Sequence, residues 1–403
     1  MKSSLFKNLR LQTYLQVINT IIPLITTPYI SRVLGANNIG IYSSHHAMAE
    51  FFTLFAIFGM GSYGTRCIAA ESDENKRKAL FMELYTMQLI TCSISSICYL
   101  GYCLFLADNS TMAYLQFITL VGCFIDISWF YFGIEDFVST VVSSTIFRVL
   151  SVLALFFLVR SSDDLFIYAF IMLSSAFMSQ LVLWIKLCKN GYIKYVKVKN
   201  ITRHFLPNLN LFIPSLAMTV CASTDKAMLG SLSTYEQSGY YTNVEKVINV
   251  PFCIFSGFST AFLPRMTAIY SQSKEKAKAF FFDTLSGIIM LGVAMSFGII
   301  AVSDVFIPLF LGDGYEPCIL LIKIFSPIII IKCISNAIRV HFLIPFHMEK
   351  IYIKSTCIGA LLNVCLNFIL IPRYGAIGAI IATFASETII LLVQVYHHTN
   401  YMN

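Results

Sequence analysis

The chain has 403 residues, of which 57% are hydrophobic and only 12% charged, with a mean hydropathy of +0.74 and a formal net charge of +7. Soluble domains carry about 25% charged residues, so this composition excludes a chain of two or three water-soluble domains. The cysteines are scattered without a C-x-x-C pair, which predicts neither a disulfide framework nor a metal site.

Apolar blocks recur along the whole chain, each of about 20 residues, the length that crosses a bilayer core as a helix. They are too long for the strands of a membrane barrel and lack two-residue alternation. We therefore predict an all-α polytopic membrane protein with about twelve spans. In chain order the blocks are 11–30, 41–62, 80–106, 112–133, 140–159, 165–187, 208–228, 240–262, 281–302, 317–338, 352–371 and 376–396.

A sequence motif occurs twice and suggests an internal duplication. It reads PYISRVLGANNIGIY over Pro28–Tyr42 and TDKAMLGSLSTYEQSGYY over Thr224–Tyr241. Gly40 and Gly239 keep the same offset as Arg66 and Arg265. Such halves predict two six-helix lobes related by a pseudo-two-fold axis along the membrane normal. The predicted division is 1–190 for the first lobe, 191–207 for a basic cytoplasmic linker and 208–403 for the second lobe.

Lysine and arginine concentrate in alternate connections between the spans, which sets the predicted orientation. The basic connections are 2–10, 66–78, 186–203, 265–278 and 339–354, whereas the opposite side holds only Arg32, Arg160, Lys226 and Arg373. The positive-inside rule therefore predicts that both termini are cytoplasmic. The net charge reflects this topology, and no motif of the nucleic-acid-binding type accompanies it.

Six ordered blocks resemble the polysaccharide transporter family, most closely its Wzx-type O-antigen flippases. These flippases belong to the superfamily that also contains MATE-type multidrug exporters and lipid II flippases. The blocks are PYISRVLG with GIY (28–42), YGTRCIAAESDENKRK (63–78), IPSLAMTVCASTDKAMLG (213–230), GYYTNVEKV (239–247), FLPRMTA (262–268) and IPRYGAIGAIIAT (371–383). They cover nearly the whole chain in the family's order and spacing.

The resemblance implies a MATE-like, two-lobed protein of the bacterial inner membrane that acts in lipopolysaccharide biosynthesis. Its expected substrate is an oligosaccharide on undecaprenyl diphosphate, moved from the cytoplasmic to the periplasmic leaflet by alternating access coupled to an ion or a proton. The implied partners are this lipid-linked oligosaccharide, membrane lipids, the polysaccharide polymerase and the chain-length regulator. Neither a cofactor nor a nucleic acid is expected.

Positive charges within the predicted spans are candidates for binding a diphosphate. A charge inside a bilayer costs a few kcal/mol and is a functional candidate by default, and arginine and lysine form charge-assisted hydrogen bonds with phosphate oxygens. The predicted cationic cavity consists of Arg32, Arg66, Arg148, Lys226, Lys246 and Arg265. Arg66 and Arg265 are alternatively snorkelling anchors at helix ends. Arg148, deep in the fifth span, requires an anion or a carboxylate partner such as Asp126.

Two adjacent pairs of opposite charge, Asp225–Lys226 and Glu245–Lys246, lie in the seventh and eighth spans. Neighbours on a helix point about 100° apart and do not neutralise each other well. Either the pairs bridge the two helices, or one member of each faces the cavity. The nearby Tyr240 and Tyr241 start the eighth span, where interfacial anchoring is expected.

Acidic residues and one histidine are candidates for ion or proton coupling. His46 and Glu50 are four residues apart and share a helix face, and histidine titrates near neutral pH. The alternatives are a polar pair that is satisfied without titrating, or a histidine that hydrogen-bonds the hydroxyl groups of a sugar. The other acids predicted for coupling are Asp126, Asp225, Glu245 and Glu387.

Three other functions compete with the flippase. A MATE-type small-molecule antiporter is disfavoured because the intramembrane cations suit an anionic substrate. A membrane-embedded enzyme, such as a polysaccharide polymerase or an acyltransferase, is disfavoured because no catalytic set, metal-ligand cluster or large outer loop is visible. A structural scaffold would not need so many buried charges.

Overall fold

A computed structural model describes residues 2–192, 201–346 and 348–402 of the chain. Within these residues the regular structure is helical, with no strand, and each of the twelve predicted apolar blocks lies in helix. Residues 193–200 of the predicted linker lie outside the described residues.

The helices follow one another with short connections. They are α1 (Lys2–Ile57), α2 (Met60–Ala70), α3 (Glu74–Phe105), α4 (Ser110–Ile125), α5 (Ser128–Gly133), α6 (Phe137–Leu158), α7 (Leu165–Lys189), α8 (Thr202–Leu232), α9 (Tyr235–Gln272), α10 (Lys274–Leu311), α11 (Pro317–Phe325), α12 (Ile328–Ile338), α13 (Glu349–Tyr374) and α14 (Ala376–Met402). A π-helical segment, Arg339–Leu343, follows α12.

Breaks within the predicted spans have local causes. The first predicted span and most of the second lie in α1, and they are separated by a kink at Gly35, whose φ of +74° is a left-handed conformation that glycine adopts without strain. The fourth span is broken between α4 and α5, where Asp126 accepts hydrogen bonds from the backbone N–H of Ser128 (2.9 Å) and from its hydroxyl (2.6 Å). Pro327 precedes α12 and interrupts the tenth span, because proline lacks a backbone N–H.

By length and composition, nine stretches of the described chain are long and apolar enough to cross a membrane. The three other predicted spans, two in α1 and one in α9, are helical as well. Large apolar side chains such as Ile97, Leu104 and Phe105 are exposed, as expected where lipid replaces water. The fold is that of a polytopic all-α membrane protein.

The chain forms two compact units. Met1–Ile22 and His45–Thr219 make up the first, and Pro23–Ser44 and Val220–Asn403 make up the second. The division differs in two segments from the one predicted from the repeat, since residues 23–44 pack with the second unit and residues 208–219 with the first. Helices α1 and α8 therefore each contribute to both units, and the symmetry of the two repeat lobes stays a prediction.

The repeated glycines meet in the second unit. A Cβ atom on Gly40 of α1 would lie 1.6 Å from the carbonyl oxygen of Tyr235, and one on Gly239 of α9 would lie 1.9 Å from that of Ala36. Only glycine allows two backbones to approach so closely. The sequence repeat thus corresponds to a packing contact between its own two copies.

Candidate functional site

A carboxylate in the second unit is held by four neutral side chains. Asp225 of α8 is 2% exposed. Its Oδ1 accepts hydrogen bonds from the Nδ2 atoms of Asn363 (3.1 Å) and Asn367 (2.6 Å). Its Oδ2 accepts from the hydroxyl of Tyr241 (2.5 Å) and from that of Thr383. We call these five residues the Asp225 cluster.

The cluster forms because three further helices bring polar side chains to α8. Asn363 and Asn367 are one turn apart on α13 and face the same way, since a four-residue step returns to nearly the same face. Thr383 lies near the start of α14, which follows α13 after Gly375 at a φ of +56°. Tyr241 lies near the start of α9, and its hydroxyl points inward.

The cluster leaves Asp225 without a countercharge, since no lysine, arginine or histidine in the described ranges lies within ion-pair distance of it. An ionised carboxylate that is buried without a cation is strongly disfavoured. The site therefore calls for a proton or a cation at this carboxylate. Carboxylate, amide and hydroxyl oxygens are ligands that hard cations prefer, and the Oδ1 atom of Asn367 is buried with no hydrogen-bond partner among the described residues.

The two adjacent charge pairs, Asp225–Lys226 and Glu245–Lys246, each contribute one residue to an ion pair between helices. Nζ of Lys226 lies 3.2 Å from Oε2 of Glu245, so one member of each pair bridges the seventh and eighth predicted spans. The other two members are not paired with each other: Asp225 belongs to its cluster, and the half-buried Lys246 makes no hydrogen bond or ion pair with a described residue. Lys246 is thus a lysine without an ion-pair partner among the residues that the structure describes.

Three other predicted cations are exposed. In the second unit, a guanidinium nitrogen of Arg32 donates a 2.5 Å hydrogen bond to the carbonyl of Leu309 in the last turn of α10, where a positive charge is stabilised by the helix dipole. Arg265 lies over the ring of Phe280, 5.1 Å from its centroid. Arg66 is exposed on α2 of the first unit.

Arg148 is half-buried on α6 in the first unit and forms no ion pair with a described residue. The suggested Arg148–Asp126 pair is wrong, because Asp126 instead accepts hydrogen bonds from Ser128 at the start of α5. The role of Arg148 in binding an anion stays a prediction.

His46 and Glu50 share a face of α1, as their spacing predicts. Nε2 of His46 lies 3.7 Å from Oε1 of Glu50, and Nδ1 lies 3.1 Å from Oε1 of Gln116 on α4. The two side chains of the pair are 32% and 40% exposed. The pair is a half-buried polar contact within the first unit, and its part in coupling stays a prediction.

Glu387 lies one helical turn beyond Thr383 on α14. Its Oε1 atom is 3.9 Å from Nζ of Lys332 on α12, and both side chains are 20% exposed. The carboxylates of Glu387 and Asp225 are close enough for their charges to interact. The second unit thus holds two neighbouring acids but only one lysine in ion-pair contact with them among its described residues.

Residues of the Asp225 cluster were missed by sequence reasoning, and one was misplaced. Asn363, Asn367 and Thr383 have a signal in the sequence, because two amides one turn apart in an apolar helix need polar partners. Interfacial anchoring by Tyr240 and Tyr241 is wrong: their side chains are 7% and 1% exposed. The hydroxyl of Tyr240 donates to Glu236 at 2.7 Å, and that of Tyr241 donates to Asp225.

The predicted site residues divide between the units. Arg66, Arg148, His46, Glu50 and Asp126 lie in the first unit, and Arg32, Lys226, Lys246, Arg265, Asp225, Glu245 and Glu387 lie in the second. Only Lys226 with Glu245, and His46 with Glu50, are brought together as ion pairs among these residues. A cavity lined by all six cations stays a prediction.

Comparison with known proteins places the chain in a family. The family profile described as "Polysaccharide biosynthesis protein" matches residues 5–270, which is more than half of the sequence. The chain belongs to this polysaccharide biosynthesis protein family. Membership confirms the resemblance seen in the six sequence blocks.

Relatives of this family member match it over nearly their whole length. It is 23% identical over 395 residues to the "Putative O-antigen transporter" of Escherichia coli (strain K12), covering 96% of this chain and 95% of that protein. The protein of the same name in Shigella dysenteriae is 22% identical, with 96% and 98% covered.

Solved structures of low sequence identity share its fold. The lipid II flippase MurJ in an inward closed conformation is similar with a TM-score of 0.76 at 15% identity, over 98% of this chain and 87% of that one. An inward-facing multidrug resistance MATE family transporter is similar with a TM-score of 0.65 at 14% identity, over 94% and 98%. The MATE-like fold expected from the sequence is confirmed.

Proposed function

We propose that this protein is a flippase that moves an undecaprenyl-diphosphate-linked oligosaccharide from the cytoplasmic to the periplasmic leaflet of the bacterial inner membrane. The observation that carries the proposal is the near full-length match, in both directions, to relatives named as O-antigen transporters. The likeness of the fold to a protein named as a lipid II flippase supports it. The protein acts as a transporter and not as an enzyme.

Unneutralised cations support an anionic substrate. Arg148 in the first unit and Lys246 in the second are half-buried without a partner acid among the described residues. A diphosphate would supply the anion that each lacks, since its oxygens accept charge-assisted hydrogen bonds. Lys226 is a weaker candidate because Glu245 already neutralises it.

Coupling to a cation gradient is assigned to Asp225. The carboxylate receives only neutral donors from the described residues, so it is poised to exchange a proton or a small cation. Neutralising Asp225 when the cation binds would change the balance of charge in the second unit, which is how a gradient can bias a two-state transporter. The His46–Glu50 pair is the second candidate for this role.

A reconstituted system tests the proposal. Purified protein in liposomes should move an undecaprenyl-diphosphate oligosaccharide with a fluorescent sugar group between leaflets, faster when a proton or alkali-cation gradient is imposed. Asp225→Asn should lose the response to the gradient, whereas Asp304→Asn, at an exposed acid paired with Lys323, should keep it. The absence of any movement by the wild-type protein, with the leaflet of the substrate verified, would contradict the flippase assignment.

A MATE-type small-molecule antiporter is the second candidate, favoured by the structural similarity to the multidrug transporter. The two functions separate in cells. A flippase should restore surface polysaccharide to a strain that lacks its own O-antigen transporter and carries matching glycosyltransferases. An antiporter should instead raise drug resistance and leave the surface polysaccharide absent.

A further inference from the structure

Polar side chains continue from the Asp225 cluster along the contact between α12 and α14. On α14, steps of four and eleven residues return side chains to within about 40° of the same face, so Thr383, Glu387 and Gln394 form one stripe. Helix α12, which packs on α14, presents polar residues at steps of three and four. We call these residues the polar seam: Lys332, Ser335, Asn336, Thr383, Glu387 and Gln394.

Contacts across the polar seam are spaced along it. The Lys332–Glu387 ion pair lies one turn beyond Thr383. Farther on, the hydroxyl of Ser335 donates to Oε1 of Gln394 at 3.1 Å. At the end of α12, the guanidinium of Arg339 donates to Oδ1 of Asn336 at 3.0 Å. Positive-inside topology predicts that this end of the helices is cytoplasmic.

Buried polar atoms without hydrogen-bond partners occur along the polar seam. The Nε2 atom of Gln394 and the Nδ2 atom of Asn336 are buried with no hydrogen-bond partner among the described residues, as is Oδ1 of Asn367 at the Asp225 end. Gln394 is 0% and Asn336 5% exposed. Buried polar atoms seldom persist without partners, and a polar site with several such groups is where ordered water or an ion is stabilised.

The Lys332–Glu387 pair lies in the polar seam between the Asp225 cluster and the contact of Ser335 with Gln394. Its separation of 3.9 Å is long for an ion pair. The ammonium also lies 5.9 Å from the centroid of the Phe252 ring, within the range of a cation–π interaction. Among the described residues, the other ionisable groups that interact with this pair are Asp225 and Cys221.

We propose that the polar seam is a hydrated path along which the coupling cation moves between Asp225 and the C-terminal ends of α12 and α14. Glu387 is the intermediate acceptor, and Lys332 moves aside when the cation arrives. A proton leaving the Asp225 carboxyl passes through water to the Glu387 carboxylate and then to water near Gln394, whereas an alkali cation exchanges oxygen ligands along the same residues. This inference rests on the coupling role proposed above for Asp225.

Cysteine accessibility tests the path without relying on transport. Ser335→Cys should react with a membrane-impermeant methanethiosulfonate reagent applied to reconstituted vesicles, with the modified site identified by peptide mass spectrometry. Native Cys333, buried among apolar residues on another side of α12, and Leu392→Cys, at an exposed apolar position of α14, should stay unmodified. Thiols react as thiolates, which form only where water reaches. Equal, background labelling at all three positions would overturn the hydrated path.

Cation flux separates this inference from the proposed function. Glu387→Gln should slow gradient-driven flipping and the accompanying cation uptake, while lipid-linked oligosaccharide binding is unchanged. A proton gradient and an alkali-cation gradient are imposed separately, and the one whose effect is lost identifies the cation. Wild-type rates for Glu387→Gln, together with an inactive Asp225→Asn, would overturn the polar seam and leave the flippase proposal intact.

Discussion

The amide of Asn367 contributes most directly to the environment of Asp225. Its Nδ2 atom donates one hydrogen bond to Oδ1 of Asp225 at 2.6 Å and another to Oδ1 of Asn363 at 3.1 Å. The hydrogen bond to Asp225 is the shorter of the two amide contacts to that oxygen atom. No charged group among the described residues donates a hydrogen bond to Asp225. The neutral donors therefore decide how readily the carboxylate accepts a proton or a cation.

Replacing Asn367 with alanine should therefore destabilise the protein in a manner that depends on Asp225. Hydrogen bonds to charged groups contribute about 1.5–3 kcal/mol, and we expect a loss of that size in the free energy of unfolding. In an Asp225→Asn background the same change should cost less, because the acceptor is neutral. Denaturation in detergent micelles, followed by circular dichroism, measures both. An equal cost in the two backgrounds would show that Asn367 acts independently of the carboxylate.

The helix elements are fixed by sequence patterns to different degrees. The apolar blocks predicted helices correctly, because a bilayer-length run of apolar residues can satisfy its backbone only as a helix, and nine stretches of the described chain are long and apolar enough to cross a membrane. The kink at Gly35 and the break before α12 agree with a glycine and a proline at those positions. Gly40 and Gly239 indicated an internal repeat in the sequence, but their contact at the crossing of α1 and α9 was not predicted.

The crossing makes a sharp prediction for Gly239. Replacing it with alanine would place Cβ against the Ala36 carbonyl oxygen, so α1 and α9 must separate. Overpacking of this kind costs about 1–3 kcal/mol or more, and we expect a lower melting temperature in detergent. Gly101→Ala is the matched control: a Cβ there meets no atom within 4 Å, and alanine stabilises a helix relative to glycine by up to about 1 kcal/mol. Similar melting temperatures for the two variants would contradict the close crossing.

At the scale of the whole molecule, the sequence predicted the class of fold but not the pairing of distant residues. Asp225 and Thr383 are far apart in the chain, and their contact depends on how four helices pack, which hydrophobic periodicity does not specify. Arg148 is a second example: the sequence indicated that it is partly buried, but the suggested partner Asp126 was wrong. Residues 23–44 pack with the second unit for a reason that only tertiary structure reveals, namely the contact of their glycine with α9.

Helices α1 and α8 each contribute residues to both units, which predicts how the protein behaves when its chain is split into two fragments. A chain split after Tyr192 would leave residues 23–44 of the second unit on the first fragment and residues 202–219 of the first unit on the second fragment. Each fragment alone would expose the surfaces that these segments bury, including the Gly40–Gly239 contact. We expect the two fragments to accumulate in the membrane and to purify together when they are co-expressed, and each to be degraded when it is expressed singly. Immunoblots of differently tagged fragments measure this. Stable accumulation of residues 193–403 alone would show that the second unit does not need its segment of α1.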